Sequence, residues 1–441
     1  MRIMTTTSRL LGVVAIATTL GLGGCGDGEL FEVQNPGRIL DEDLNSVQGV
    51  NALVTGMSAD FSEGYDGNAF MQARLGDEMA GSGSYFLTGR LRRGIIDSED
   101  ADGFWGDVQR ARWVAEGGLE RMKEIEGYQF EGNELTAQAY LYAGLANRTF
   151  GETFCEVSFS QPYEGDDGTL QPRSAAFERA IPHLQAAISN GQAAGDSETV
   201  TAARGALASV QAWTGNWSAA MAQANQVPTD FVFHAVYSNN STPEENEIFQ
   251  ETHQRFEMSA FGSLSGAVGG AGGDPRVPWT DCSTSADCAS GNGADGQTTH
   301  YRQEKYPELG GDIPLVKGTE MRLLEAEYAL TQGDLDGAMD KINEARAHYG
   351  LDPLTSSGSI GTITGDRDSM DGWDILDRER HLTNWLEGRR LWDLHRWDHP
   401  FLDGGSVVYE PEGPRRASCV PVSLNECQTN PNIDPSACFR D

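Results

Sequence analysis

The sequence predicts a mainly α-helical chain, built from helical pairs that form a scaffold with long loop insertions. Three observations carry that expectation. Apolar residues recur at spacings of three and four through the middle of the chain. Two helical stretches are joined by short Gly-containing turns. Between the periodic segments lie polar, Gly-rich stretches with no period at all.

The periodic segments come in order. Residues 105–125 place Trp105, Val108, Arg112, Ala115 and Leu119 on one stripe, and residues 134–149 do the same with Leu135, Ala139, Tyr142 and Ala146. Further helices are expected at 174–190, 200–214 and 217–226, the last two joined by Gly215-Asn216. Residues 318–349 are the sharpest case. One helix carries Leu323, Ala326, Ala329 and Leu330, Gly333-Asp334 makes the turn, and a second helix carries Ala338, Ile342 and Ala345. Small residues at the crossing let two antiparallel helices approach closely, and the unit resembles a tetratricopeptide repeat of ~34 residues. The pair at 200–226 reads as a degenerate copy and 105–149 as a third. The copies are not contiguous, so a scaffold with insertions is expected rather than a clean solenoid. The insertions fall at about 60–104, 237–317 and 352–372.

The 441 residues include 66 Asp plus Glu against 32 Lys plus Arg, a formal charge of −34. Phosphate backbones and anionic lipid surfaces would repel such a chain, so nucleic-acid binding is excluded as a function class. With 39% apolar residues and 17 Phe, 12 Tyr and 9 Trp, burial can offset chain entropy. Glycine, at 53 residues, exceeds the ~7% usual in proteins and points to many turns.

The N-terminus reads as an address. Arg2 and Arg9 precede a short apolar run at 10–22, too short to span a bilayer, and Leu22-Gly23-Gly24-Cys25 has the pattern of a bacterial lipobox. Residues 1–24 are therefore expected to be a lipoprotein signal peptide and Cys25 the acylated first residue of the mature chain, 25–441, a single domain. The protein would be held to a membrane by lipid rather than threaded through it. Gly26-Asp27-Gly28-Glu29, small and acidic, resembles surface-export signals in the Bacteroidetes and their relatives.

Six cysteines remain: Cys155, Cys282, Cys288, Cys419, Cys427 and Cys438. An even number in an exported chain suggests three disulfides. Cys282 and Cys288 sit in one loop and favour a local bridge. Of Cys419, Cys427 and Cys438, two could pair and one could reach Cys155.

No hydrolase, phosphate-loop or metalloprotease motif occurs. Asp366, Asp368 and Asp371 sit close together, but with the wrong spacing for an EF-hand. His395 and His399 are four apart, with Pro400 ending the helix that would present them. No metal and no cofactor is expected. Arg378, Arg380, Arg389, Arg390 and Arg396 read as partners in internal ion pairs.

Two blocks carry a family resemblance. The first is Lys305-Tyr306-Pro307, Asp312-Ile313-Pro314-Leu315-Val316 and Glu320-Met321-Arg322-Leu323-Leu324-Glu325-Ala326-Glu327. The second is Leu376-Asp377-Arg378-Glu379-Arg380 followed by Leu386-Glu387-Gly388-Arg389-Arg390-Leu391-Trp392-Asp393-Leu394-His395-Arg396-Trp397. With Asn35-Pro36 and Pro421-Val422-Ser423, they resemble the SusD/RagB family of outer-membrane nutrient-uptake lipoproteins. The resemblance implies a helical fold with tetratricopeptide-like pairs, on a lipoprotein facing the cell exterior. Such a protein caps a TonB-dependent (SusC-like) outer-membrane channel, captures an oligosaccharide or a peptide, and performs no bond chemistry. A surface glycoside hydrolase on a helical scaffold, or a tetratricopeptide-type adaptor for proteins, are the alternatives.

A sugar ring stacks its C–H face on aromatics and needs polar groups beside them. The candidates are Tyr85, Phe86 and Arg90 in the early insertion and Trp279, Tyr301 and Arg302 in the central one, with Trp279 foremost, because no helical period assigns it to a core. Trp392, on a periodic helix, is expected to pack.

Overall fold

The computed structural model describes residues 41–160, 168–404 and 415–439. The signal segment, Cys25 and Asn35-Pro36 lie outside them; the account below concerns the unit Leu44–Asp441. Among the described residues the chain forms fourteen helices. They are α1 (Val50–Leu75), α2 (Phe86–Arg92), α3 (Asp102–Glu124), α4 (Glu134–Thr153), α5 (Ser174–Ala194), α6 (Ser197–Trp213), α7 (Trp217–Ala224), α8 (Glu247–Phe249), α9 (Leu264–Val268), α10 (Gly318–Thr331), α11 (Leu335–His348), α12 (Gly372–Thr383), α13 (Arg390–Arg396) and α14 (Leu424–Thr429). Eight short strands accompany them: β1 (Ala80–Gly81), β2 (Glu156–Val157), β3 (Gln171–Pro172), β4 (Val232–Ala235), β5 (Met258–Ser259), β6 (Trp279–Asp281), β7 (Tyr301–Gln303) and β8 (Ile313–Lys317). The mainly α fold expected from sequence is the fold observed. No helix among the described residues is long and apolar enough to cross a membrane.

The helices form a continuous array. α3 packs on α4, α4 on α5, α5 on α6, α6 on α7, α7 on α10, and α10 on α11 and α12. Local chemistry sets the ends of these helices. Asn133, Asp196, Asn216 and Asp334 each accept a backbone N–H of the first turn. Gly333, at φ 79°, makes the α10–α11 turn that a β-carbon would strain. Small residues set the α4–α5 spacing: a β-carbon at Gly144 would come within 2.5 Å of Leu184, and one at Gly151 within 2.6 Å of the Phe177 ring.

The helical pairs meet in space although they are separated in sequence. β4 pairs antiparallel with β8, so the central insertion leaves and returns through one ladder. That brings α7 against α10, where Trp217 stacks on Tyr328 at 5.9 Å and Met321 and Leu324 fill the gap beside Ala208, Ala220 and Ala224.

One boundary needs correction. Residues 60–75 are not the start of an insertion but the second half of α1. Phe61, Tyr65, Ala69 and Phe70 are buried, and so are Asp66, Asn68, Gln72 and Arg74 on the other sides of the same helix. The polar groups are partnered: Asp66 accepts the Glu247 N–H, Gln72 donates to Thr153, and Arg74 donates to Thr88. A helix buried all round shows no amphipathic stripe. Residues 352–372 are a loop up to Asp371, pinned by Ser357 N–H to Met370 O at 2.8 Å and by Asn343 to Leu354.

The arginine-rich stretch 378–396 is largely an internal ion-pair network. Arg380 and Arg396 both hold Asp393, at 2.9 and 2.7 Å. Arg389 and Arg148 share Glu152, tying the start of α13 to α4. Lys305 and Lys317 converge on Glu387 at 2.6 and 2.7 Å. Removing one member of such a buried set leaves its partner charged and unpaired, so the set fixes the geometry of the array.

The disulfides are Cys155–Cys419, Cys282–Cys288 and Cys427–Cys438. The local bridge falls where the spacing placed it, and Cys419 is the member of the C-terminal cluster that reaches Cys155.

Candidate functional site

The early and central insertions join into one surface. β1 pairs with β5, and β5 abuts the β6–β7 hairpin: Ala260 N–H donates to Tyr301 O at 3.0 Å, and Ser259 Oγ accepts the Tyr301 N–H at 2.8 Å. Ser82 adds cross-links, its hydroxyl donating to Phe256 O and its carbonyl accepting the Asp295 N–H.

In the hairpin, Trp279 pairs with Gln303 and Asp281 with Tyr301, so Trp279 and Tyr301 are diagonal neighbours on one face. Their rings stack at 4.0 Å, and Trp279 Nε1 donates to Ser265 O at 3.0 Å. The Gly270 backbone lies against the indole, where a β-carbon would come within 2.8 Å. Phe261 meets Tyr301 edge-on at 5.2 Å. Trp279 is therefore a half-buried packing residue, not an aromatic left free in a loop: the reach from Ser265 to Tyr301 covers it. Arg302 is spent on Glu304, at 2.9 Å, and on the Asp287 carbonyl.

Tyr85 and Phe86 stand differently. Tyr85 precedes α2 in extended conformation and Phe86 opens the helix. They are 57% and 77% exposed, the most exposed aromatics among the described residues. Beneath them the backbone is fixed: Glu257 accepts the Ser84 N–H at 3.2 Å and the Thr88 hydroxyl at 2.6 Å. Arg90 sits 5.6 Å from the Phe86 ring centroid and is held by Asp97 and Asp100 at 2.6 and 2.7 Å. The surface thus carries two adjacent apolar rings on a rigid base, with a guanidinium and carboxylates beside them.

Sequence reasoning missed a cleft of about 580 Å³ between α3, α4 and α5, lined by Trp113, Tyr140, Lys123 and His183. At its base Glu116 is gripped by Arg179 at 2.6 and 2.7 Å and by Arg112 at 2.8 Å. Burial alone would raise this carboxyl, but hydrogen bonds from Arg179 and His183 and the charge of Arg112 hold it well below the usual range. The available signal was Trp113 itself, an aromatic off the buried stripe of its helix.

The two histidines turn to different partners. His395 Nδ1 meets Ser418 Oγ at 2.9 Å and its ring stacks on Trp392, while His399 turns to Asp377. Among the described residues no three His, Cys, Asp or Glu side chains converge to hold a metal ion.

The molecule is a helical-pair scaffold that presents an aromatic surface on its insertions, and known proteins share this fold. The SusD family model matches residues 297–432. The fold matches a SusD-like carbohydrate-binding protein from Bacteroides vulgatus with TM-score 0.63 and 14% identity, over 88% of this chain and 97% of that one. A laminarin-binding SusD-like protein matches with TM-score 0.59 and 16% identity, over 88% and 98%, and B. fragilis NanU with 0.64 and 12%, over 90% and 98%. No curated protein matches the chain. The C-terminal third of the chain is thus similar in sequence to the SusD family, and the described fold is that of SusD-like proteins.

Proposed function

We propose that the protein is a non-catalytic glycan-binding lipoprotein of the outer membrane. It captures an oligosaccharide at the cell surface and delivers it to a TonB-dependent channel. The observation that carries the reading is the pair Tyr85 and Phe86, two neighbouring rings 57% and 77% exposed on a hydrogen-bonded base. Water gains little from covering them, and a sugar C–H face gains a platform. Support comes from the relatives named as carbohydrate-binding and laminarin-binding. The Leu22–Cys25 lipobox supplies the anchor.

The full-length lipoprotein, extracted in detergent, is tested against a panel of α- and β-glucans by isothermal titration calorimetry. Binding without release of shorter products is expected. Product release would favour a hydrolase, and silence against all glycans with binding to peptides would move the ligand class. Extraction with and without cross-linking, followed by identification of the co-purifying outer-membrane protein, tests the channel.

A further inference from the structure

A separate cavity of about 400 Å³ opens between the loop before α9, the loop ahead of α12 and the segment after α13, and none of the residues singled out for glycan stacking lines it. Its floor is charged and ordered. Arg390 grips Asp77 through two nitrogens at 2.6 and 2.8 Å and also reaches Asp377. His399 Nδ1 accepts the Phe401 N–H at 3.0 Å, so its proton sits on Nε2, which donates to Asp377 at 3.1 Å.

One group of the floor is unsatisfied. His381 is 2% exposed, its Nδ1 lies 3.6 Å from Asp77, and its Nε2 has no hydrogen-bond partner. Burial keeps this imidazole neutral by lowering its pKa, against the pull of Asp77. With the Nδ1 proton turned to Asp77, Nε2 is an acceptor without a donor.

The rim has the opposite character. Arg378 donates to the carbonyls of Arg367, at 2.9 Å, and Ser369, at 3.3 Å, and among the described residues neither Arg367 nor Arg378 forms an ion pair with a carboxylate. Two acids share that wall: Asp374 accepts the Thr364 N–H at 2.7 Å and its hydroxyl at 2.9 Å, and Asp366 accepts the Asp368 N–H at 2.9 Å. Two uncommitted guanidiniums at one rim stand out in a chain with 66 acids and 32 bases.

We propose that this cavity binds a single sugar-acid ring. The ring hydroxyls point inward, donating to Asp377 and to His381 Nε2, and the carboxylate lies against Arg367 and Arg378. A planar guanidinium matches a carboxylate through paired hydrogen bonds, and the volume suits one pyranose with its waters.

The test uses the full-length lipoprotein in detergent, with glucuronate, galacturonate, glucose and galactose as probes in calorimetry. The uronates are expected to bind at least tenfold tighter than the neutral sugars. Arg378→Met, which breaks no ion pair, should cost uronate binding tenfold or more and leave the weak binding of neutral sugars unchanged. His381→Phe should weaken both kinds of sugar. Tyr85→Ala with Phe86→Ala should leave uronate binding intact, which separates this site from the aromatic platform. No uronate binding by the wild type overturns the proposal. So do equal affinity for glucose and glucuronate, unchanged uronate affinity in a folded Arg378→Met protein, and loss of uronate binding in the platform variant.

Discussion

Trp279 lies flat on Tyr301, ring centroids 4.0 Å apart and planes 2° from parallel, and both pack against the main hydrophobic core. The indole faces its own hairpin and donates its N–H to Ser265. Trp279→Ala should therefore act on stability, lowering it by about 2–4 kcal/mol in denaturant unfolding. A variant with wild-type stability and lost glycan affinity would restore Trp279 to the ligand surface.

Tyr85 and Phe86 should give the reverse. Replacing both by Ala is expected to weaken glycan binding by roughly 1–3 kcal/mol and leave the melting temperature within a degree or two, because exposed rings contribute little to the core. Calorimetry and thermal melts on the same preparation check both halves.

Trp392 is 7% exposed between Phe177 at 5.2 Å and Trp213 at 5.9 Å, with Arg173 over its ring at 5.1 Å. Trp392→Ala should cost on the order of 3–5 kcal/mol and leave residual glycan affinity unaltered in the folded fraction. A loss under 1 kcal/mol would contradict the packing.

Glu78 supplies a pH signature. It is fully buried, one oxygen accepts the Leu386 N–H at 2.8 Å, and the other has no partner. Burial pushes its pKa up to about 8. The folded chain then holds a proton that the unfolded chain releases above ~4.5, so stability contributed by the protonated form is present at low pH and lost as pH rises towards 8. Glu78→Gln should remove that loss. The variant's stability relative to wild type is expected to grow between pH 5 and pH 8, by a few kcal/mol at most. A difference that stays flat across this window would place the Glu78 pKa near its ordinary value.

The bridge Cys155–Cys419 closes a loop of sequence separation 264. Replacing both residues by Ala should lower stability by about 5–6 kcal/mol on the chain-entropy estimate. Thiol titration of the denatured, unreduced wild type should find no reactive thiol among the six cysteines; two or more would disprove the pairing.

The helices were legible where one side faces a neighbour and the other water. The stripe of α3 and the Gly333-Asp334 turn sit where the spacing put them. The second half of α1 was not legible, because Asp66, Gln72 and Arg74 are buried beside Phe61 and Phe70, and polar groups satisfied by distant partners look solvated in a sequence. The same limit hid the role of Trp279. Its neighbours Ser265, Gly270 and Tyr301 come from separate stretches of one insertion, and only the register of the hairpin joins them. Trp392 was readable because its helix announces its own core face. The polar cavity near His381 could not be read: its walls come from segments scattered between Asp77 and Phe401.

The same Cys155–Cys419 bridge governs how the protein survives a cut in its backbone. Phe154 and Val420 run side by side next to it, and the Val420 N–H donates to Thr153 O at 2.9 Å. The insertions at 237–317 and 352–372 both lie within the closed ring. A protease that cuts any one of them once leaves two pieces still joined covalently, with the helical array holding them in register. Nicked protein should therefore run as two bands only after reduction, and a single nick need not let the helical array come apart.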